Sequence, residues 1–260
     1  MIDGVPAADR YLFDLEGYLV IEDALDATQL AAVNAEIDRL LEDADPDAPT
    51  VSFGAGGGEL VGARGVFLDL VDNPRVSPYL EALVDPDVRL DHEYVHVLRP
   101  GIGATGMSSA VLHGGGTPFD ASQWFRFADG RTWSGLTVVA YHLRDVDPAD
   151  GGLAIVPGSH KANLPFPDEW RDLDVVRHPS VRRVGGRAGT AVVFSEASTH
   201  GTLPWHGAGE RRTLFYKYSP HPISWAWRYY DLDALEPLTE RQRRLLEAPN
   251  GRSPRRLERR

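Results

Sequence analysis

The sequence predicts a mainly β protein, an antiparallel sheet pair or jelly roll with α-helices at its N-terminal side. Short segments rich in β-branched and aromatic residues are separated by clusters of Gly, Pro and Asp. They are residues 94–98, 136–141, 153–156, 190–194 and 213–218. No long helical period separates the later segments, which favours antiparallel pairing. In such a double sheet, the open mouth between the layers can hold a small-molecule site.

The N-terminal part carries most of the predicted helix. Residues 17–21 predict a short strand, and Leu30, Val33 and Ile37 begin an apolar repeat with steps of three and four behind Asp26. This pattern predicts a capped amphipathic helix packed on the core. We expect one domain over 1–260. It would have an N-terminal helical part to about residue 90, a jelly-roll core over about 91–230 and a C-terminal tail over 231–260.

Composition limits the classes of partner. The 260 residues carry 38 acidic and 27 basic side chains, a net charge of −11, which argues against nucleic acid as a partner. The absence of cysteine excludes disulfides and thiolate metal sites. No apolar run is long enough to span a membrane, and the N-terminus lacks the basic and apolar regions of a signal peptide. We therefore expect a soluble, cytoplasmic protein with no membrane partner.

Two histidines, His113 and His200, have the sequence context of metal ligands. Each is followed by glycine, and neutral imidazoles suit Fe(II) in non-haem sites that normally add one carboxylate. That carboxylate usually lies two residues after the first histidine, where this chain has Gly115.

An arginine follows the second histidine by eleven residues. Arg211 opens a predicted strand, and its planar guanidinium fits the far carboxylate of an acidic co-substrate. Adjacent strand residues point to opposite faces, so only one of Arg211 and Arg212 can face the cavity. The eleven-residue spacing favours Arg211.

Residues 151–161, Gly-Gly-Leu-Ala-Ile-Val-Pro-Gly-Ser-His-Lys, resemble a turn of the phytanoyl-CoA dioxygenase family. Residues 17–21 resemble that family's opening strand, and 112–113, 199–201 and 211–214 resemble its metal arms and co-substrate clamp. The resemblance implies a double-stranded β-helix, a cupin-like jelly roll. It implies an oxidoreductase that binds Fe(II) and 2-oxoglutarate and uses O2 to attack an unactivated C–H bond. His113 and His200 would be metal ligands, and Arg211, Thr202 and Tyr141 would contact 2-oxoglutarate.

Gly115 departs from the pattern of the hydroxylating relatives, which carry aspartate at this position. In that respect the chain resembles the iron/2-oxoglutarate halogenases, in which chloride takes the position of the missing acid. Hydroxylation is the alternative, with water, Asp120 or Glu196 completing the iron site. A non-catalytic small-molecule-binding protein is the remaining alternative.

The substrate is expected to be a small molecule. An aromatic and polar insertion, residues 117–127, follows the first metal arm, and Trp124 and Phe125 within it could roof the cavity. His96, in the middle of a predicted strand, and Trp205 are further candidate substrate contacts. A packed surface loop or core packing explains these aromatic residues equally well. No basic patch for the phosphates of coenzyme A is visible in the sequence.

Overall fold

The computed structural model describes residues 4–54, 58–63, 65–100, 110–174 and 177–251. The end of the C-terminal tail, beyond residue 251, lies outside these ranges. Five of the six α-helices in the described ranges precede the longest strands: α1 (Ala7–Glu16), α2 (Ala27–Glu42), α3 (Glu59–Gly62), α4 (Val66–Asp69) and α5 (Ser77–Leu83), with α6 (Glu240–Leu246) near the C-terminus. The predicted amphipathic helix is α2, and Asp26 and Gln29 form a capping box at its start.

Eleven strands within the same ranges form the rest of the architecture. They are β1 (Tyr18–Ile21), β2 (Thr50–Phe53), β3 (Val88–Leu98), β4 (Phe125–Ala128), β5 (Arg131–Ser134), β6 (Thr137–His142), β7 (Gly152–Ile155), β8 (Arg182–Val184), β9 (Ala191–Ser195), β10 (His200–Leu203) and β11 (Arg211–Pro220). The large sheet has the order β1-β9-β6-β11-β3-β2, a smaller one the order β10-β7-β8, and β4 pairs with β5. All neighbouring strands run antiparallel. The predicted fold class, mainly β with flanking helices, is confirmed, and the large sheet is open, with β1 and β2 at its edges.

The large sheet has two different faces because side chains alternate along each strand. On β11, Leu214 and Tyr216 pack in the main core with the helices, a core that extends from Val5 to Leu246. Phe215, between them, packs in a second apolar cluster that joins the large sheet to the small one. The second face therefore borders the space between the two sheets.

Among the described residues, no helix has the length and apolar character needed to cross a bilayer.

Candidate active site

A cavity of about 510 Å³ lies between the two sheets. Inward-facing side chains of β3, β6, β9 and β11 form one wall, and β7 and β10 contribute the other. His113 and His200, Arg211, Thr202 and His96 all line this cavity. The structure thus brings together most of the residues that the sequence singles out.

His113 and His200 are joined through their main chains. The His113 amide donates to the His200 carbonyl at 2.7 Å, and the His200 amide donates to the His113 carbonyl at 2.9 Å. This isolated antiparallel bridge holds the two rings side by side, with centroids 4.2 Å apart. This main-chain bridge therefore places two residues side by side that are 87 positions apart in the sequence.

The ring of His200 is oriented for ligation through Nε2. Its Nδ1 lies 2.8 Å from the carbonyl oxygen of Ser198, which can only accept, so Nδ1 carries the proton and donates it. Nε2 is then unprotonated, and it lies 3.7 Å from Oε2 of Glu196. A main-chain partner of this kind commonly fixes the tautomer of a metal-binding histidine.

Glu196 completes a three-residue cluster with the histidines. One ligand atom from each of His113, Glu196 and His200 lies within 4.8 Å of the others. The other oxygen of Glu196, Oε1, accepts a hydrogen bond from Lys217 at 2.6 Å. Burial alone would raise the pKa of Glu196, but the charge of Lys217, together with the two histidines where they are protonated at low pH, lowers it to about 2.

Both imidazoles are neutral at physiological pH. The neighbouring His200 and partial burial lower the pKa of His113 to about 4, and burial lowers the pKa of His200. The cluster thus offers two neutral nitrogens and one anionic oxygen, a donor set that suits a divalent transition metal.

The glycines after His113 have a conformational reason. A Cβ on Gly114 would lie 2.8 Å from the Ser198 carbonyl oxygen and 2.9 Å from that of Glu196, and its φ is +73°. Gly115 has a φ of +109°, where any side chain is strained. The first arm can therefore lie against the segment that carries Glu196 only because both residues are glycine.

The family-like turn at 151–161 supports the second metal arm. The Ser159 hydroxyl accepts from the Thr199 amide at 2.7 Å, and the Val156 amide donates to the Thr199 carbonyl at 2.9 Å. Gly158 also donates to the Glu16 carbonyl at the end of α1. The motif therefore fixes the backbone immediately before His200, and of its residues Leu153 lines the cavity.

The two adjacent arginines lie on opposite faces of β11. Arg211 lines the cavity, and burial lowers its pKa to about 10. Arg212 faces the helices, where it pairs with Asp38 and Glu210. Of the ion pairs between described residues, none includes Arg211, so its guanidinium is a buried cation without a countercharge.

Other buried polar groups lie beside Arg211 on the same face of the sheet. Thr213 pairs in register with His96 on β3 and with His142 on β6, so these three side chains form one row across the sheet. His96 Nε2, Thr213 Oγ1, both ring nitrogens of His142 and Arg211 Nε are buried without a hydrogen-bond partner in the described structure. Such a cluster is costly unless a polar ligand satisfies it.

Four of the candidate residues lie elsewhere. Tyr141 is in the helix-side core, and Trp205 packs with Leu98 and Val146 while its Nε1 donates to the Gly209 carbonyl. Phe125 packs against Phe13 and His160, and neither it nor Trp124 is among the residues that line the cavity. The insertion reaches the cavity instead through Gln123.

Asp120, the second carboxylate considered from the sequence, lies outside the metal cluster. Its side chain is exposed and accepts from the Ser122 amide and hydroxyl and from the Gln123 amide. It stabilises its own turn.

The sequence reasoning did not identify several cavity residues. They are His92, Tyr94, Phe215 and Lys217. Alternation would have identified all four, since 92, 94 and 96 share one face of β3 and 211, 213, 215 and 217 share one face of β11.

The sequence is similar to a known protein family and to proteins of established activity. Residues 13–213 match the family model described as phytanoyl-CoA dioxygenase (PhyH). Ectoine dioxygenase from Streptomyces anulatus is 26% identical over 226 residues, covering 76% of this chain and 72% of that protein.

Solved structures of other proteins share this fold. HygX from Streptomyces hygroscopicus with nickel and 2-oxoglutarate bound superposes with a TM-score of 0.75 at 26% identity, over 88% of this chain and 92% of HygX. Another HygX structure, with a TM-score of 0.72 at 25% identity over 87% of this chain and 92% of HygX, also holds hygromycin B. SnoN, an α-ketoglutarate-dependent epimerase from nogalamycin biosynthesis, has a TM-score of 0.56 at 21% identity over 83% of each chain and supports the fold alone.

The family match covers most of the chain, the curated relative is a dioxygenase, and HygX binds 2-oxoglutarate. The enzyme interpretation is confirmed over that of a non-catalytic binding protein. The chain belongs to the phytanoyl-CoA dioxygenase family and is a dioxygenase-type oxidoreductase.

Proposed function

We propose that this chain is an Fe(II)- and 2-oxoglutarate-dependent oxygenase that hydroxylates an unactivated C–H bond of a small molecule. The observation that carries the proposal is the convergence of His113, Glu196 and His200. Two imidazoles and one carboxylate are the ligand set of the non-haem iron oxygenases. Here the carboxylate would come from the second arm, four residues before His200, so that Gly115 leaves no ligand missing.

The donor set fits a metal ion in geometry as well as in charge. Ligand atoms about 2.1 Å from one ion are about 3–4 Å apart, so a spread within 4.8 Å closes with small side-chain movements. The carboxylate of Glu196 is buried beside both rings, where a divalent ion would balance its charge.

The row beside Arg211 fits the co-substrate. Arg211, Thr213, His96 and His142 offer buried polar atoms that no described residue satisfies, which supports a dicarboxylate whose far end binds Arg211. Thr202 lines the same cavity and can add a hydrogen bond. HygX with nickel and 2-oxoglutarate bound supports this co-substrate for the present chain.

The roles of the side chains follow from these positions. Ferrous iron with 2-oxoglutarate and O2 supplies the oxidant, and the overall reaction converts R–H to R–OH while 2-oxoglutarate becomes succinate and CO2. Arg211 would orient the co-substrate, and Lys217 would hold one oxygen of Glu196 so that the other faces the metal. The apolar wall at Leu153 and Phe194 would keep bulk water from the reacting atoms.

The substrate is proposed to be a small molecule held in the remainder of the cavity. The HygX structure with hygromycin B bound supports a small-molecule site in this fold. A volume of about 510 Å³ is within the ordinary range for such sites.

Anaerobic titration of 2-oxoglutarate into Fe(II)-loaded protein tests the proposal. The wild type is expected to develop the visible metal-to-ligand charge-transfer band and, after O2 is admitted, to form succinate. Glu196→Gln should weaken metal binding and the band, while Asp120→Asn, the matched control, should leave both unchanged. A full band in Glu196→Gln, or none in the wild type, would contradict the assignment.

Halogenation is the second candidate, because Lys217 already pairs with Glu196. If Glu196 stayed with Lys217, a coordination position would be open to chloride. If Glu196 binds the metal, chloride should leave the charge-transfer band unshifted and the product free of chlorine. A chloride-dependent shift with tighter 2-oxoglutarate binding would favour the halogenase instead.

A further inference from the structure

The outer end of the cavity is lined by aromatic side chains that no metal or co-substrate role uses. His92 stacks on Trp225 with ring centroids 5.0 Å apart and on Tyr94 at 6.0 Å. Tyr94 in turn stacks on Phe215 at 4.7 Å. Trp225 is 55% exposed although it lines the cavity, so part of its ring is free to contact a ligand.

A β-bulge fixes this aromatic wall from behind. Pairing of β3 with β11 skips Asp91, and bulges of this kind redirect side chains beside active sites. The Asp91 carboxylate accepts from the Arg89 guanidinium at 2.9 Å, from the Trp225 and Ala226 amides at 2.9 Å each and from His92 Nδ1 at 2.7 Å. The strand residue His92 and the loop residue Trp225 are therefore held to one anchor, which is fully buried.

The same anchor sets the chemistry that His92 presents to the cavity. Because Asp91 can only accept from Nδ1, the proton of this tautomer lies on Nδ1, and Nε2 is an acceptor. No described residue donates to Nε2. A ligand hydroxyl or N–H that stacks beside Trp225 can supply that donor.

The charge of the cavity favours one class of ligand over another. Glu196 is the single carboxylate among the described lining residues, and Lys217 and Arg211 are cations. Residues 101–109, which connect β3 to the first metal arm, contain no Asp or Glu. Once the two charges of 2-oxoglutarate offset those of Fe(II), the cavity keeps an excess of positive charge, which repels cations.

We propose that the outer cavity is a substrate subsite for a planar ring that carries a hydroxyl or N–H donor, on a molecule that is neutral or anionic. The ring stacks on Trp225 and Tyr94, and its donor binds His92 Nε2. This inference rests on the proposed function, since it assigns the remainder of the same cavity to the substrate.

Four related phenyl compounds test the charge and donor preferences. Calorimetry on protein loaded with nickel and 2-oxoglutarate compares 4-hydroxyphenylacetate, phenylacetate, the amide 4-hydroxyphenylacetamide and the amine tyramine. The hydroxy acid and the amide are each expected to bind at least about tenfold more tightly than tyramine. The hydroxyl should improve binding in the wild type but not in His92→Phe. Tyramine binding equal to the acid, or no binding of the acid at millimolar concentration, would overturn the proposal.

Two tryptophans give a matched pair of variants. Trp225→Ala should lower the affinity for 4-hydroxyphenylacetate about tenfold. Trp227 is 76% exposed and is not among the residues that line the cavity, so Trp227→Ala should bind this compound as the wild type does. Equal losses of affinity in the two variants would contradict the subsite.

The charge-transfer band of the iron protein distinguishes failure of the subsite from failure of the proposed function. A normal band with no effect of Trp225→Ala overturns only the subsite. A missing band with Trp225-dependent binding overturns only the proposed function.

Discussion

Replacing Lys217 by Met tests whether Glu196 binds the metal. Lys217 and Glu196 form an ion pair whose side chains are only 13% and 4% exposed. The substitution leaves a buried carboxylate without its cation, which costs about 3–5 kcal/mol. For a chain of this size each kcal/mol corresponds to roughly 2–4 °C. The metal-free variant should therefore melt about 6–20 °C below the wild type.

A divalent metal should reverse much of that loss if Glu196 is a ligand. The ion would supply the positive charge that Lys217 provided, so nickel should raise the melting temperature of Lys217→Met more than that of the wild type. Recovery of about 3 kcal/mol corresponds to about 100-fold tighter metal binding. Thermal unfolding with and without nickel, followed by circular dichroism, measures both quantities.

A double variant provides the control. Lys217→Met with Glu196→Gln removes both charges, so its metal-free stability should return toward that of the wild type while its metal affinity falls. The reasoning is refuted if nickel stabilises the wild type and Lys217→Met equally, or if the double variant keeps the metal affinity of the wild type.

Three further outcomes are expected. Arg211→Lys should weaken 2-oxoglutarate about 100-fold, since an ammonium cannot make the paired hydrogen bonds of a guanidinium; Arg212→Lys is the control, and equal losses in a charge-transfer titration would contradict the role. Gly114→Ala should cost at least about 2 kcal/mol in urea unfolding, and more than Gly130→Ala, whose φ is similar at +74° but which has nothing within 4 Å of its Cβ position; similar costs would show that close packing is not the cause. Burial lowers the pKa of His142 from 6.5 to about 3. Between these pH values the unfolded chain binds a proton that the folded chain does not, so the free energy of unfolding decreases as the pH is lowered. In the metal-free protein, His142→Phe should lose about 2 kcal/mol less than the wild type between pH 6.5 and 5, and an unchanged slope would exclude His142 as the source.

Strand periodicity predicted much of the fold and some of the residues that face the cavity. Alternation on β11 is a local property, so the sequence could state that only one of Arg211 and Arg212 faces the cavity. The same rule separates Tyr141 from its cavity-lining neighbour Ala140. It could not be applied there, because the pattern of a strand buried on both faces does not reveal which side borders the cavity.

The sequence could not show which carboxylate joins the two histidines in the metal cluster. Asp120 and Glu196 were equal candidates, and the structure separates them through tertiary contacts. Gly114 allows the first arm to lie against main-chain oxygens of the second, which brings Glu196 beside the rings, while Asp120 is engaged in its own turn. The roof expected from Trp124 likewise depended on the direction of a loop, which composition does not determine.

The reciprocal amide–carbonyl pairing of His113 and His200 implies a ligand frame assembled during folding. The entropic cost of bringing two distant segments together is then part of the folding free energy and does not reduce the free energy of metal binding. Ion capture would require side-chain rotation rather than rearrangement of the chain, so exchange of one divalent ion for another should leave the backbone undisturbed.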